Sequence, residues 1–255
     1  GIRGDREEYD RVRAEFDSKY LATYGERANM EAAEAFLSYA SKDSQVEIPL
    51  AWWAKPFPGN FGDWLSPLIV SHFTDAKVTF LQPVNPTAKK HIIALGSIGR
   101  FIKSTSVVLG TGISTLDVQL NRKADYVSVR GPLTAQALKA SGGKDVESFG
   151  DPGLALSRII PATRSTTNGK IAFVRHFSHA AIPMRLAPNM EELSVLMSKP
   201  DHIAAFVQQL IQFDAVVTSA MHVMITCQSY GIPCSLVTFE GFEENVHGSG
   251  IKYQD

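Results

Sequence analysis

The stretch that decides the fold is AVVTSAMHVMITCQSYGIPCSLV, residues 215–237. Ala215 to Thr218 is a short apolar, β-branched run that reads as a buried strand, and Ser219 is a residue of N-cap type placed where that strand ends. A helix is expected next, because Met221, Met224, Ile225 and Cys227 recur at roughly helical spacing until Gly231 and Pro233 stop it. Cys234 to Phe239 then reads as another strand. The unit is strand, helix, strand, with His222 in the first helical turn. In open parallel sheets ligands bind where strands end and helices begin, and a helix N-terminus offers free N–H groups and partial positive charge to an anion. His222 therefore stands where an anionic substrate would be held; a core or capping histidine is the plain alternative.

Outward from this unit the same grammar repeats. IPLAWWA (48–54), VTFLQ (78–82), HIIALG (91–96), VVLGTGI (107–113), YVSVRG (126–131) and KIAFVRH (170–176) read as short strands. Most are followed by a glycine or a helix-start signal, the rhythm of a parallel sheet with crossover helices. Gly96, Gly99, Gly110 and Gly112 follow strands without the spacing of a dinucleotide fingerprint, so they speak for close approach of backbone to a ligand and give NAD little support. In GNFGDWLSPLIV (59–70), Leu65, Leu68, Ile69 and, just beyond, Phe73 give a helical face. Asn60, Gly62 and Asp63 thus occupy the loop and first turn leading into a helix, where glycines admit a ligand to the backbone and a carboxylate stands beside it.

In YVSVRGPLTAQALKASGG (126–143) the strand is expected to end at Arg130, Gly131 to turn and Pro132 to start a helix. Arg130 is then a fixed guanidinium at a strand end, able to grip phosphate or carboxylate with two N–H groups; an ordinary salt bridge is the plain alternative. GDPGLAL (150–156) repeats the pattern, FSHAAIPMRLAPNM (177–190) reads as a loop, and Pro200 opens a helix with the apolar stripe Ile203, Phe206, Val207, Leu210 and Ile211.

Composition sets the frame. A chain of 255 residues with 44% hydrophobic residues is ordinary globular material, and a net charge of -1 argues against a nucleic-acid partner. Cys227 and Cys234 make neither a disulfide framework nor a zinc set, which fits a reducing compartment. No ligand-spaced His, Asp and Glu cluster suggests a metal. No apolar run approaches the roughly 18 residues that cross a bilayer, and with the reducing compartment this makes a cytoplasmic protein the expectation. The chain opens on GIRGD without a methionine and stops at KYQD, as a processed or trimmed chain would.

Residues 5–42 carry Tyr9, Val12, Phe16, Tyr20 and then Ala32, Ala35, Phe36 and Tyr39 at helical separations, read as two amphipathic helices broken near Gly25. They could pack on the body, form a homo-oligomer contact or touch a membrane surface. The polar run ATRSTTNGK (162–170) reads as a linker. The expected organisation is a helical segment over 1–45, an N-terminal α/β lobe over 46–165, and a C-terminal α/β lobe over 166–255 that can be incomplete at its end.

Taken together, N-x-G-D at 60–63, R-G-P-L-T at 130–134, G-D-P at 150–152, S-x-M-H at 219–222 and G-I-P at 231–233 resemble, in order and spacing over roughly 55–240, the polysaccharide pyruvyl transferase family. The resemblance implies two Rossmann-like parallel-sheet lobes arranged as in GT-B glycosyltransferases, the N-terminal lobe on the acceptor side and the C-terminal lobe on the donor side. It also implies transfer of pyruvate from phosphoenolpyruvate onto two hydroxyls of a sugar, as a cyclic ketal. The VVLGTGI and VRH runs look most like members acting on bacterial exopolysaccharide repeat units, and a lipid-linked oligosaccharide is the other acceptor implied, which would bring the protein into peripheral contact with the inner membrane face.

Carried over, Asp63 becomes the acidic residue of the N-terminal motif, Arg130 the phosphoenolpyruvate-binding arginine, and His222 the histidine of the C-terminal motif. His176 matches a histidine after the first strand of the family's second domain. The candidate catalytic residues are His222 and Asp63; the candidate substrate-binding residues are Arg130, Asn60, Gly62, Ser219, Met221, His176 and Gly112. Where the family commonly has Leu-His-Gly, this chain has Met221, His222 and Val223, and the valine adds bulk at the helix start. The donor's two acidic groups call for fixed positive charge and N–H donors, and the proton transfers for a histidine and a carboxylate. No cofactor beyond the donor is expected. The alternatives are a sugar-nucleotide glycosyltransferase of the same architecture, with Glu240, Glu243 or Glu244 as its donor-binding acid, and a non-catalytic polysaccharide-binding or assembly protein.

Overall fold

The computed structural model describes residues 6–19, 22–40, 43–85, 87, 89–248 and 250–255. Two helices come first, α1 (Arg6–Lys19) and α2 (Tyr24–Ala40). The first sheet region holds β1 (Glu47–Ala51), α3 (Phe61–His72), β2 (Lys77–Leu81), β3 (His91–Ile93), β4 (Ser106–Leu109), β5 (Asp125–Ser128) and α4 (Pro132–Ala140). After the short α5 (Leu156–Ile159) come β6 (Ile171–Val174), β7 (Met190–Leu193), α6 (Pro200–Leu210), β8 (Ala215–Thr218), α7 (Met221–Tyr230) and β9 (Cys234–Leu236).

The strands form two sheets, in the orders β2-β1-β3-β4-β5 and β7-β6-β8-β9, and every pairing is parallel. This is the expected pair of Rossmann-like lobes. Parallel strands are covered on both faces, which is why their apolar residues run together: Leu50 and Ala51, Val108, Val174 and Val216 are all buried.

One hydrophobic core runs continuously from the first sheet to the second, with Phe61 of α3 against Phe206 of α6 at 4.9 Å between ring centroids. The backbone stitches the same place. Phe61 N–H donates to Val195 O at 2.8 Å, Met197 N–H donates to Gly59 O at 2.9 Å, and Asn60 bridges Leu196 in antiparallel sense. The start of α3 is thereby pinned to the second sheet region, and truncating Phe61 to alanine would cost about 3–5 kcal/mol. A second core covers the other side of the first sheet around Ile93, Val108, Tyr126 and Leu138, and Ile251 joins it. The end of the described chain thus folds back onto the first sheet through a 3-10 turn, Ile251–Tyr253.

The helical break falls near Gly25 as expected, just before Tyr24, where Thr23 and Glu26 form a reciprocal capping box: Thr23 N–H donates to Glu26 Oε2 at 2.8 Å and Glu26 N–H donates to Thr23 Oγ1 at 3.3 Å. Tyr20 lies outside the described residues. Of the uses foreseen for these helices, α2 packs on the body: Phe36 touches Trp52, Trp64 and Phe80, and Tyr39 Oη donates to Ser198 O at 3.1 Å. Helix α1 buries no residue and is tied on through Arg13 to Glu34 at 2.9 Å.

Strand β7, MEEL, was not legible at all. Its two glutamates sit at the sheet edge and pair outward, Glu191 with Lys170 at 3.1 Å and Glu192 with Arg175 at 2.6 Å, so no apolar period marks it. Strand β9 closes at Leu236, short of Phe239. Cys227 and Cys234 are free thiols. Among the described residues no helix is long and apolar enough to cross a membrane.

Candidate active site

The C-terminal ends of β1, β3, β6 and β8 face one cavity of about 390 Å³, lined by the residues that follow those strands and by the first turns of α3 and α7. That volume lies near the lower end of the roughly 300–1,000 Å³ usual for small-molecule sites. Asn60, Gly62, Asp63, His176, Met221 and His222 all line it, so residues far apart in the chain converge.

Asp63 stands in the first turn of α3, and its Oδ2 accepts from Asn60 Nδ2 at 2.7 Å. Asn60 is the N-cap residue, yet its side chain makes no cap hydrogen bond; its Nδ2 donates to Asp63 instead. Burial pushes the Asp63 carboxyl above the ordinary carboxylate range, against the opposing pull of Asn60, His222 and Lys252. A carboxylate held in this way is a better proton acceptor than an exposed one.

His222 is the second residue of α7 and packs directly on α3. A Cβ added to Gly62 would lie 2.3 Å from His222 Nδ1, so the imidazole occupies the space that Gly62 leaves bare. On its other side, His222 Nε2 lies 3.7 Å from Asp151 Oδ2, and neither atom has a hydrogen-bond partner. The remaining Asp151 oxygen accepts from Gly153 N–H at 2.8 Å. Burial alone would raise the Asp151 carboxyl, but His222, the Gly153 N–H and Arg130 outweigh it and hold it below the ordinary range. Asp151 is therefore an anion set beside the His222 ring. The sequence marks Asp151 within G-D-P but offers no reason to place it beside a histidine 71 positions away.

Lys252 is a second residue that sequence reasoning missed. It lines the cavity from the 3-10 turn near the end of the chain, in the polar run GIKYQD, which carries no local signal. Burial, with Arg130 nearby, pushes its ammonium down to about 8 although Asp63 draws it back up. It supplies positive charge at neutral pH.

Arg130 and Gly112 sit behind the cavity wall. The guanidinium is buried, donating from Nη1 to Ser97 Oγ at 2.8 Å and from Nη2 to Ile113 O at 2.9 Å, with Asp255 Oδ2 3.2 Å from Nη2. Its Nε has no partner. Ser97 lines the cavity, so Arg130 reaches that surface through the serine. Gly112, expected to meet substrate, instead meets Arg130: an added Cβ there would fall 2.3 Å from its Cζ. Arg130 follows the end of β5 at Ser128, and Asp255 accepts from Thr134 N–H at 2.9 Å in the first turn of α4.

Ser219 does not cap α7. The N-cap is Ala220, and the Ser219 hydroxyl, buried, accepts from His176 N–H at 2.9 Å and lies 2.9 Å from His179 Nδ1. It holds the loop after β6 in place. His176 Nδ1 accepts from Ser178 N–H at 3.3 Å, which puts the proton of the neutral ring on Nε2. Burial, with Lys252, His179 and His222 nearby, pushes His176 down to about 3, so it is neutral through the physiological range. Met221 and Val223 are buried on the apolar side of the cavity, where Val223 belongs to the continuous core. Glu240 and Glu243, candidate acids for a nucleotide-sugar donor, are exposed and do not line the cavity; the side chain of Glu244 lies outside the described residues. No group of three or more His, Cys, Asp or Glu among the described residues is placed to hold a metal.

Two parallel α/β lobes meeting at a pocket that carries a carboxylate, a buried His–Asp pair and a lysine define a two-lobed α/β protein with a site fit for an acidic ligand and for proton transfer. The model of the polysaccharide pyruvyl transferase family matches residues 24–239, and the chain belongs to that family. It is similar to the uncharacterized protein L143 of Acanthamoeba polyphaga mimivirus, 28% identical over 187 residues that cover 71% of this chain. The match spans 65% of the length of that relative. No solved structure matches the chain.

Proposed function

We propose that this protein transfers pyruvate from phosphoenolpyruvate onto two hydroxyls of a sugar, in a polysaccharide repeat unit or its lipid-linked precursor, and releases phosphate. The observation that carries the reading is the convergence of Asp63, His222 and Lys252 on one cavity, with Asp151 behind the histidine. The donor brings a carboxylate and a phosphate. Lys252, the N–H groups at the start of α7 and Arg130 through its neighbours supply positive potential there.

One sugar hydroxyl adds through oxygen to C2 of the enol while C3 takes a proton from solvent, turning the methylene into a methyl group; the proton that Asp63 collects returns to solvent. Asp63 accepts the proton the hydroxyl loses. The C2–O bond to phosphate then breaks, the phosphate leaving with its bonding electrons and with a proton from His222, whose ring stands beside Asp151. The second hydroxyl closes the ketal and gives up its proton. The balance is a diol plus phosphoenolpyruvate in, a cyclic ketal plus phosphate out. The two lobes would close on the donor in the GT-B manner, and an acceptor linked to lipid would place the protein at the cytoplasmic membrane face.

His222→Ala is the direct test. It should abolish phosphate release from phosphoenolpyruvate in the presence of acceptor oligosaccharides while leaving the protein folded by circular dichroism. Near-normal turnover in that variant would remove the assignment. A thermal-shift series sets phosphoenolpyruvate against UDP- and GDP-sugars, and stabilisation by a nucleotide sugar alone would overturn the donor.

A further inference from the structure

The tandem Trp52-Trp53 just past β1 splits by strand-like alternation: Trp52 is buried in the core, whereas Trp53 is 36% exposed and lines the cavity. Trp53 is also held. Phe101, on the 3-10 turn Gly99–Phe101 that follows β3, stacks on it at 5.8 Å between centroids and 18° between planes. The Arg100 guanidinium in turn lies 4.6 Å from the centre of the Phe101 ring. Trp53, Phe101 and Arg100 all line the cavity that contains Asp63.

From this arrangement we infer that Trp53, supported by Phe101, is the platform on which a pyranose ring of the acceptor stacks, with its hydroxyl edge turned to Arg100, Asn60 and Asp63. A pyranose has two chemically different aspects: a face of C–H groups that packs on an aromatic surface, and a rim of hydroxyls that needs hydrogen-bond partners. The cavity offers both next to each other. A rigid, pre-positioned ring binds at little entropic cost, which suits a ligand that must present two neighbouring hydroxyls in register. This inference rests on the proposed reaction for its acceptor, and it adds the residues that choose and orient the sugar.

Trp53 also supplies the assay. Of the three tryptophans, Trp52 and Trp64 are 1% and 0% exposed, so acrylamide quenching of the native protein reports on Trp53. Methyl β-galactopyranoside, methyl β-glucopyranoside and methyl β-mannopyranoside are titrated in turn. At least one should shield Trp53 and shift its emission to the blue; shielding by none of them overturns the inference, as does shielding by UMP or GMP in their place. Saturation-transfer NMR with the same sugars should lose its signal in Trp53→Ala and keep it in Trp53→Phe. The alanine variant should raise the acceptor KM about tenfold or more with the donor-induced thermal shift unchanged. If a pyranoside shields Trp53 but no phosphate is released from phosphoenolpyruvate, the platform stands and the proposed reaction falls. If ketal forms with a wild-type acceptor KM in Trp53→Ala, the reaction stands and the platform falls.

Discussion

Replacing Gly62 by alanine tests the geometry most sharply. The added Cβ would fall 2.3 Å from His222 Nδ1, 2.7 Å from its Cγ and 2.9 Å from its Cβ. Because the overlap reaches back to Cβ, turning the ring about χ1 does not relieve it, and either α7 or α3 must shift. Alanine is favoured over glycine in a helix by at most about 1 kcal/mol, whereas overpacking a filled core costs roughly 1–3 kcal/mol. The net loss is therefore about 0–3 kcal/mol, seen as a Tm lower by a few degrees in differential scanning fluorimetry. Activity should respond far more, since a displacement of about 1 Å at a reacting group can cost on the order of 100-fold. Phosphate release should fall by about that factor while the protein stays folded. In a His222→Ala background the ring is gone, and the destabilisation by Gly62→Ala should shrink by about 1 kcal/mol or more, a coupling that a double-mutant cycle reads directly. Turnover of Gly62→Ala within about twofold of wild type, or strictly additive stabilities, would refute the contact as the reason for this glycine.

Lys252 predicts a pH dependence. Its ammonium, held down at about 8, is charged below that pH and neutral above it, so the donor KM should rise as pH passes through about 8. A bound anion stabilises the charged form, which moves the limb to higher pH in kcat than in kcat/KM. Lys252→Met should flatten the limb and weaken the donor by about ten- to a hundred-fold, the usual worth of a charged hydrogen bond; an unchanged profile would exclude Lys252 from the donor site. Thr23→Ala removes the capping box of α2 and should cost about 1 kcal/mol, lowering Tm by about 2–4 °C with kcat unchanged.

The parts of the fold that were legible are those whose signal is local. The run Ala215–Thr218 is apolar and bounded by a turn residue, and it is strand β8 to the residue. Pro132 after Gly131, and Pro200 with the stripe from Ile203 to Leu210, mark α4 and α6 because proline fits a first helical position and an apolar stripe needs a core. Strand β7 failed for the opposite reason, its exposed edge needing no apolar residue.

At the site, Asn60, Gly62, Asp63 and His222 were named because strand ends and helix starts place polar groups where ligands bind, and that placement is written in short-range pattern. Sequence alone determined the two parallel-sheet halves and the polar residues at their strand ends, since turn chemistry and hydrophobic period act over a few residues. Only the tertiary structure decided that Gly62 makes room for His222, that Asp151 stands behind that histidine, that Lys252 returns to the cavity, and that Arg130 and Gly112 lie behind its wall. Each of those is a contact between segments distant in the chain, fixed by how two sheets share one core, and no local pattern encodes it.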